Sequence, residues 1–232
     1  MCESKRKRPR GRAVALCGLL VFGTLVLLPA QHLPIAGAAD GGPPITRIEE
    51  DWELVLNEPG AELTTPQFHT VMSPYTNVDS YYVQVSWNYR ALPDFVAGGL
   101  QLQAQNGDDN LALRSDREEP LSNDAETIRW TQRLETHGTD LVFKIVNGQS
   151  VSWGSFGGEG TRVQLDASVA NLDGYSTSAS AANSWITYGS NRVTLLRITQ
   201  VRFYSHHELV STDSTPVIVF RLTQDNGGGA GD

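Results

Sequence analysis

Residues 80–90 read Ser-Tyr-Tyr-Val-Gln-Val-Ser-Trp-Asn-Tyr-Arg, with Tyr81, Val83, Val85, Trp87 and Tyr89 at every second position and polar or smaller groups between them. A period of two places those five side chains on one face of a β-strand, whereas on a helix they would be scattered around the axis. The same period recurs along the chain in short runs punctuated by Gly, Pro, Asn and Asp, over residues 45–56, 68–72, 100–104, 111–113, 127–135, 162–166, 193–204 and 217–222. No stretch carries an apolar stripe of helical period over three turns. Strands separated by turn signals at this spacing predict an all-β chain, a two-sheet antiparallel β-sandwich of jelly-roll type with about ten strands.

One predicted hairpin is specific enough to fix a register. Residues 139–157 contain Asn147-Gly148, a strong turn signal, with Leu141, Phe143 and Ile145 before it and Val151 and Trp153 after it. A two-residue loop would put the two apolar rows on opposite faces. A three-residue loop, Val146-Asn147-Gly148, with Gly148 at the left-handed position of a bulge, sets Leu141 against Trp153 and Phe143 against Val151 on one core face. Residues 171–191, by contrast, read as a long irregular loop, and loops of that length are often functional.

The chain begins with an address. Six cationic residues within the first 12 precede an apolar run over residues 13–30, and Ala36-Gly37-Ala38 fits a signal-peptidase site. Residues 1–38 therefore read as a signal peptide or, if uncleaved, an anchor. A single domain over residues 39–224 and a flexible Gly-rich tail over 225–232 follow. The expected location is secreted, cell-surface or periplasmic, with no membrane contact beyond the signal segment. Without residues 1–38, which hold six of the 18 Lys+Arg and one of the 26 Asp+Glu, the net charge moves from −8 to −13. Such a field repels nucleic acid and anionic lipid. Both cysteines, Cys2 and Cys17, fall in the same segment, so the remainder has neither disulfide nor thiol chemistry.

The Asn147-Gly148 segment and the later strand NRVTLLRITQVRFYS resemble concanavalin-type and laminin-G-type jelly rolls over roughly a third of the chain. IEEDWELVLNEP, DFVAGGLQLQ and NGQSVSWGSFGG resemble segments of a group of uncharacterised exported bacterial proteins, which implies export and adds no activity.

Glu49, Asp51 and Glu53 match the Glu-x-Asp-x-Glu pattern of concanavalin-type glycoside hydrolases, and on a strand they share one face at intervals of about 7 Å, a geometry open to an acid and nucleophile pair. Their position at the start of the domain and Glu50 after the first glutamate depart from that family. The bland reading is a solvated face of an edge-like strand whose other face, Trp52 and Leu54, is core.

His206-His207-Glu208 lacks metal-ligand spacing and reads as a strand-end turn; His69 and His137 are isolated. Calcium is the one cofactor left open, through Asp108-Asp109-Asn110 and through Asp166 with Asn171-Leu172-Asp173-Gly174. Turn chemistry accounts for both. Tyr175, Trp185 and Tyr188 lie in the long loop, where rings can stack on sugar. The expectation is thus a non-catalytic module for binding or surface structure, with glycan or a cell-surface component as partner; the alternative is a hydrolase or lyase using Glu49, Asp51 and Glu53.

Overall fold

A computed structural model describes residues 42–59, 65–89, 98–106, 109–116, 119–121 and 125–222. The signal segment, the Gly-rich tail and the turn at Asp108 lie outside them.

The described residues form thirteen strands in two antiparallel sheets. In sheet A, β1 (Arg47–Leu56) runs between β11 (Val193–Ser205) and β6 (Thr127–His137). Beyond β6 comes β7 (Asp140–Ser150), whose outer edge is shared by β8 (Gly154–Phe156) and β9 (Arg162–Asp166). Beyond β11 the outer edge is likewise divided, between β12 (Glu208–Asp213) and β13 (Val217–Arg221). Sheet B has the order β10 (Trp185–Tyr188), β2 (Gln67–Met72), β3 (Tyr81–Trp87), β4 (Leu100–Asn106), β5 (Asp109–Asp116). The all-β sandwich expected from alternation is what forms.

Each sheet contributes one cross-strand aromatic pair to the middle of the core. Trp52 lies opposite Trp130 in sheet A, rings stacked at 5.8 Å, and Phe68 lies opposite Trp87 in sheet B at 5.4 Å. The two pairs meet through Trp87 and Trp130 at 4.6 Å. Directly opposed rings gain more than their buried area alone, so this contact locks the register in both sheets at once.

The hairpin at Asn147-Gly148 does not exist. Both residues lie inside β7, and the turn sits earlier, at Gly138-Thr139, where Gly138 has φ +68° and His137 faces Asp140. Thr131 faces Asn147 while Gln132 faces Ile145, so Val146 is the extra residue of a bulge. Gly148 is needed for space and not for a turn: a Cβ there would stand 2.1 Å from the Phe156 ring. The chain turns at Val151, Ser152 and Trp153, which buried Glu126 clamps by accepting from the Val151 N–H at 2.5 Å and the Ser152 hydroxyl. Val151, expected in the core, is 69 % exposed at the tip; Trp153 is buried as expected.

The supposed loop over residues 171–191 also has structure. Ser176 caps a short helix, α1 (Thr177–Ala182), and β10 follows. Where β10 stops, α1 takes over the edge of β2: the Ser180 hydroxyl donates to the Val71 carbonyl and Ser184 Oγ accepts from the Val71 N–H at 3.0 Å. Such a helix escapes period counting because six residues make under two turns.

Candidate ligand-binding face

The carboxylates of β1 divide by parity. Glu49, Asp51 and Glu53 face outward from sheet A; Glu50 faces the core. β1 is central and not edge-like, and the three outward carboxylates are sheathed in arginine. Glu49 accepts from Arg133 Nε at 2.9 Å and from Arg202 Nε at 3.2 Å. Asp51 accepts from both terminal nitrogens of Arg202 and from the Thr131 hydroxyl at 2.7 Å. Glu53 lies between Arg129, at 2.7 Å, and Arg197, at 2.6 Å. Burial pushes the Glu49 and Glu53 carboxyls up, but the arginines outweigh it and hold both below the usual range. A general acid needs a proton near neutral pH, the reverse of this arrangement. A groove of about 700 Å³ on this face touches Asp51 but neither Glu49 nor Glu53.

Glu50 anchors a network closed off between the sheets. Its Oε2 accepts from Trp52 Nε1 at 2.8 Å and Gln132 Nε2 at 2.7 Å, and its Oε1 accepts from the Tyr175 hydroxyl at 2.5 Å. Gln132 Oε1 accepts in turn from Thr70 at 3.0 Å. Burial drives the Glu50 carboxyl up, only partly countered by these bonds, and it drives the Tyr175 hydroxyl well up. Tyr175, expected among the ligand rings, is therefore a core residue, 4 % exposed, and its hydroxyl is spent on Glu50.

The outer face of sheet B is different in kind. β10, β2, β3 and β4 read WITY, QFHTVM, YYVQVSW and LQLQAQN, and none contains Asp, Glu, Lys or Arg. In a chain 19 % charged, four adjacent strands carrying none at all set this part of sheet B apart from sheet A and from the edge strand β5, which carries Asp109, Arg114 and Asp116. Phe68, Val83, Val85, Trp87, Leu100 and Leu102 fill the inner face. Alternation then leaves His69, Tyr82, Gln84, Ser86, Gln101, Gln103 and Gln105 on the outer one.

Trp185 stands at the rim of that face, 44 % exposed, opposite His69 on β2 and stacked on its ring at 4.4 Å. Gln84 Nε2 lies 3.1 Å from His69 Nδ1 and 3.0 Å from Ser86 Oγ. An amide nitrogen can only donate, so Nδ1 accepts and the ring proton sits on Nε2. Burial lowers the His69 pKa to about 4, so the face stays uncharged at neutral pH.

The three rings singled out in the sequence are thus dispersed: Trp185 faces solvent, Tyr188 is half-buried and Tyr175 is in the core. What pattern reading missed is His69 under Trp185, since the two are far apart in sequence. The signal for the rest was present in LQLQAQ, whose alternate glutamines must share a face. For calcium, Asp173 accepts from the Ile45 N–H at 2.8 Å, a long-range tie to the start of the domain, and Asn171 accepts from the Asp173 N–H at 3.2 Å, a turn-building bond. Among the described residues no cluster of three or more His, Cys, Asp or Glu is placed to hold a metal.

No family model matches the chain, and no curated protein matches it. Among solved structures, a scytalido-glutamic peptidase with a transition-state analogue inhibitor is similar at 12 % identity over 75 % of this chain and 82 % of that one, with a TM-score of 0.28. An overlap that low transfers neither chemistry nor site.

Proposed function

We propose that this domain is an exported, non-catalytic binding module that holds a glycan against the outer face of sheet B, with Trp185 as its stacking ring. The observation that carries the reading is an exposed indole seated on His69 at the rim of a polar, charge-free face. An exposed tryptophan is a poor way to stabilise a fold. An indole face suits the C–H face of a sugar, and neighbouring amides and hydroxyls suit its hydroxyls. Glu49, Asp51 and Glu53 favour the structural role, because each is spent on arginine.

The reading is tested by screening residues 39–232 on an immobilised glycan array beside the Trp185→Ala variant. Binding to at least one glycan that the variant loses is expected. Equal binding by both proteins would remove Trp185, and with it the proposed face.

A further inference from the structure

We infer that the ligand is a neutral, extended oligosaccharide lying across the strands of sheet B, from Trp185 toward Gln101. This inference rests on the glycan reading and narrows it to one chemical class and one direction.

Neutrality follows from what the face lacks. Recognition of uronate, sialate or sulfate needs arginine, lysine or a cluster of donors aimed at the anion. β10, β2, β3 and β4 offer no cation, Arg114 of the adjoining β5 is in register with the inner-face Leu102 and not with Gln101 or Gln103, and His69, the one titratable nitrogen base on the four strands, is held uncharged down to a pH of about 4. The net charge of the domain, −13 without residues 1–38, adds a further barrier to an anionic chain. Arg133, Arg197 and Arg202 of sheet A are engaged by Glu49, Glu53 and Asp51 on the far side of the sandwich.

Direction follows from register. Trp185 lies opposite His69, His69 opposite Ser86, and Ser86 opposite Gln101, so four adjacent strands align in a single row, whose Ser86 is buried beneath His69 and Gln84 and serves to hold them. Strands stand about 4.8 Å apart, which makes the row about 14 Å long. A second row beside it pairs Gln84 with Gln103, and a third pairs Tyr82 with Gln105. Glutamine amides both donate and accept, so Gln101, Gln103 and Gln105, at successive outward positions of β4, can bond hydroxyls at the far end and along one edge of a chain whose ring faces rest on the sheet. A monosaccharide on Trp185 would leave most of this row unused. A chain uses it all.

The experiment measures binding by calorimetry for two series, each from monomer to hexamer: neutral β-1,4-linked oligomers of glucose, mannose and xylose, and anionic oligomers of galacturonate. The inference expects at least one neutral series to bind, with affinity rising until the row is covered and then levelling. It expects Trp185→Ala to weaken that binding about tenfold or more, and Gln103→Ala about threefold, as loss of one stacking contact and one hydrogen bond. Arg129→Ala, on the opposite face, should change nothing. Trp185→Tyr should restore part of the affinity, which separates loss of the ring from loss of the fold. If only galacturonate binds, and still through Trp185, neutrality is overturned while the glycan reading stands. Affinity that is full at the monomer overturns the extended chain. If neither series binds, the glycan reading falls with the inference.

Discussion

Glu50 and Gln132, on neighbouring strands of sheet A, are joined by a 2.7 Å hydrogen bond at a point with no solvent access, and every polar atom around them is satisfied from both sheets. Tyr175 reaches Glu50 from beyond the strands and Thr70 reaches Gln132 from sheet B. The network ties the two layers together at one site, so its effect on stability is separable from that of the apolar core.

Replacing Glu50 with Gln should leave the fold intact. The new amide oxygen accepts from Trp52 and Gln132, while its nitrogen donates to a reoriented Tyr175 hydroxyl. Burial raises the folded-state pKa of Glu50 above its unfolded value. Its contribution is therefore fully present below the unfolded pKa and is lost as pH rises through the folded one. Melting temperatures of Glu50→Gln and the native protein should converge at low pH and diverge, in favour of the variant, as pH rises. Glu50→Leu strands three donors and should cost about 3 kcal/mol or more at any pH.

His69 produces the opposite limb. Its folded pKa of about 4 lies below the ordinary 6.5, so the unfolded chain binds more protons in between. Stability from neutral His69 is whole above pH 6.5 and is lost as pH falls toward 4, by about 2 kcal/mol after allowance for partial exposure. His69→Gln should flatten that part of a urea-midpoint profile. A slope that survives the substitution would mean the acid limb belongs to other groups.

Gly148 and Gly138 should respond to alanine for different reasons and to different extents. At Gly148 the added methyl meets the Phe156 ring and should cost about 2–3 kcal/mol through overpacking, relieved in the double variant with Phe156→Ala. At Gly138 there is open space, and only the positive φ is penalised, at about 1 kcal/mol. Chemical denaturation of the three variants checks both values. A large cost at Gly148 that Phe156→Ala fails to relieve would point to backbone strain instead.

The arginine sheath gives a salt-dependent term. Arg202 bridges Glu49 and Asp51, so Arg202→Ala should destabilise by about 1–2 kcal/mol at low ionic strength and by less in 1 M salt, as screening removes part of the pairing in the native protein. Because Glu49 and Glu53 have lowered pKa values, their contribution is present above the unfolded carboxyl pKa and fades as pH drops through the folded one.

Alternation made the sandwich legible: β9, β11 and β13 stand within a residue of where the period of two put them, and β3 keeps its expected face but ends at Trp87, three residues early, where Asn88 turns to φ +53°. The Asn-Gly signal misled because a local turn preference competed with pairing along the whole of β6, and the longer ladder prevailed by turning at Gly138. Val146 was absorbed as a bulge, which turn statistics cannot distinguish from a loop. The short strands β8 and β10 and the helix α1 owe their form to neighbours and carry little period of their own. The candidate face was half legible. Its glutamines could be assigned to one side from sequence, but the partnership of Trp185 with His69 depends on β10 finding β2 across more than a hundred residues.

Ser180 of α1 and Ser184 just after it, which cap the Val71 backbone, act as a stopper on the sheet. An exposed strand edge invites extended segments of other molecules to add to it, which is how many β proteins aggregate. Here the edge of β2 just past His69 is already occupied by one hydroxyl of a helix and another just beyond it, so a foreign strand has no continuous ladder to follow there. The edge of β2 beyond β10 is closed at that point by construction, so the rim beside Trp185 and His69 offers no free Val71 backbone to a foreign strand.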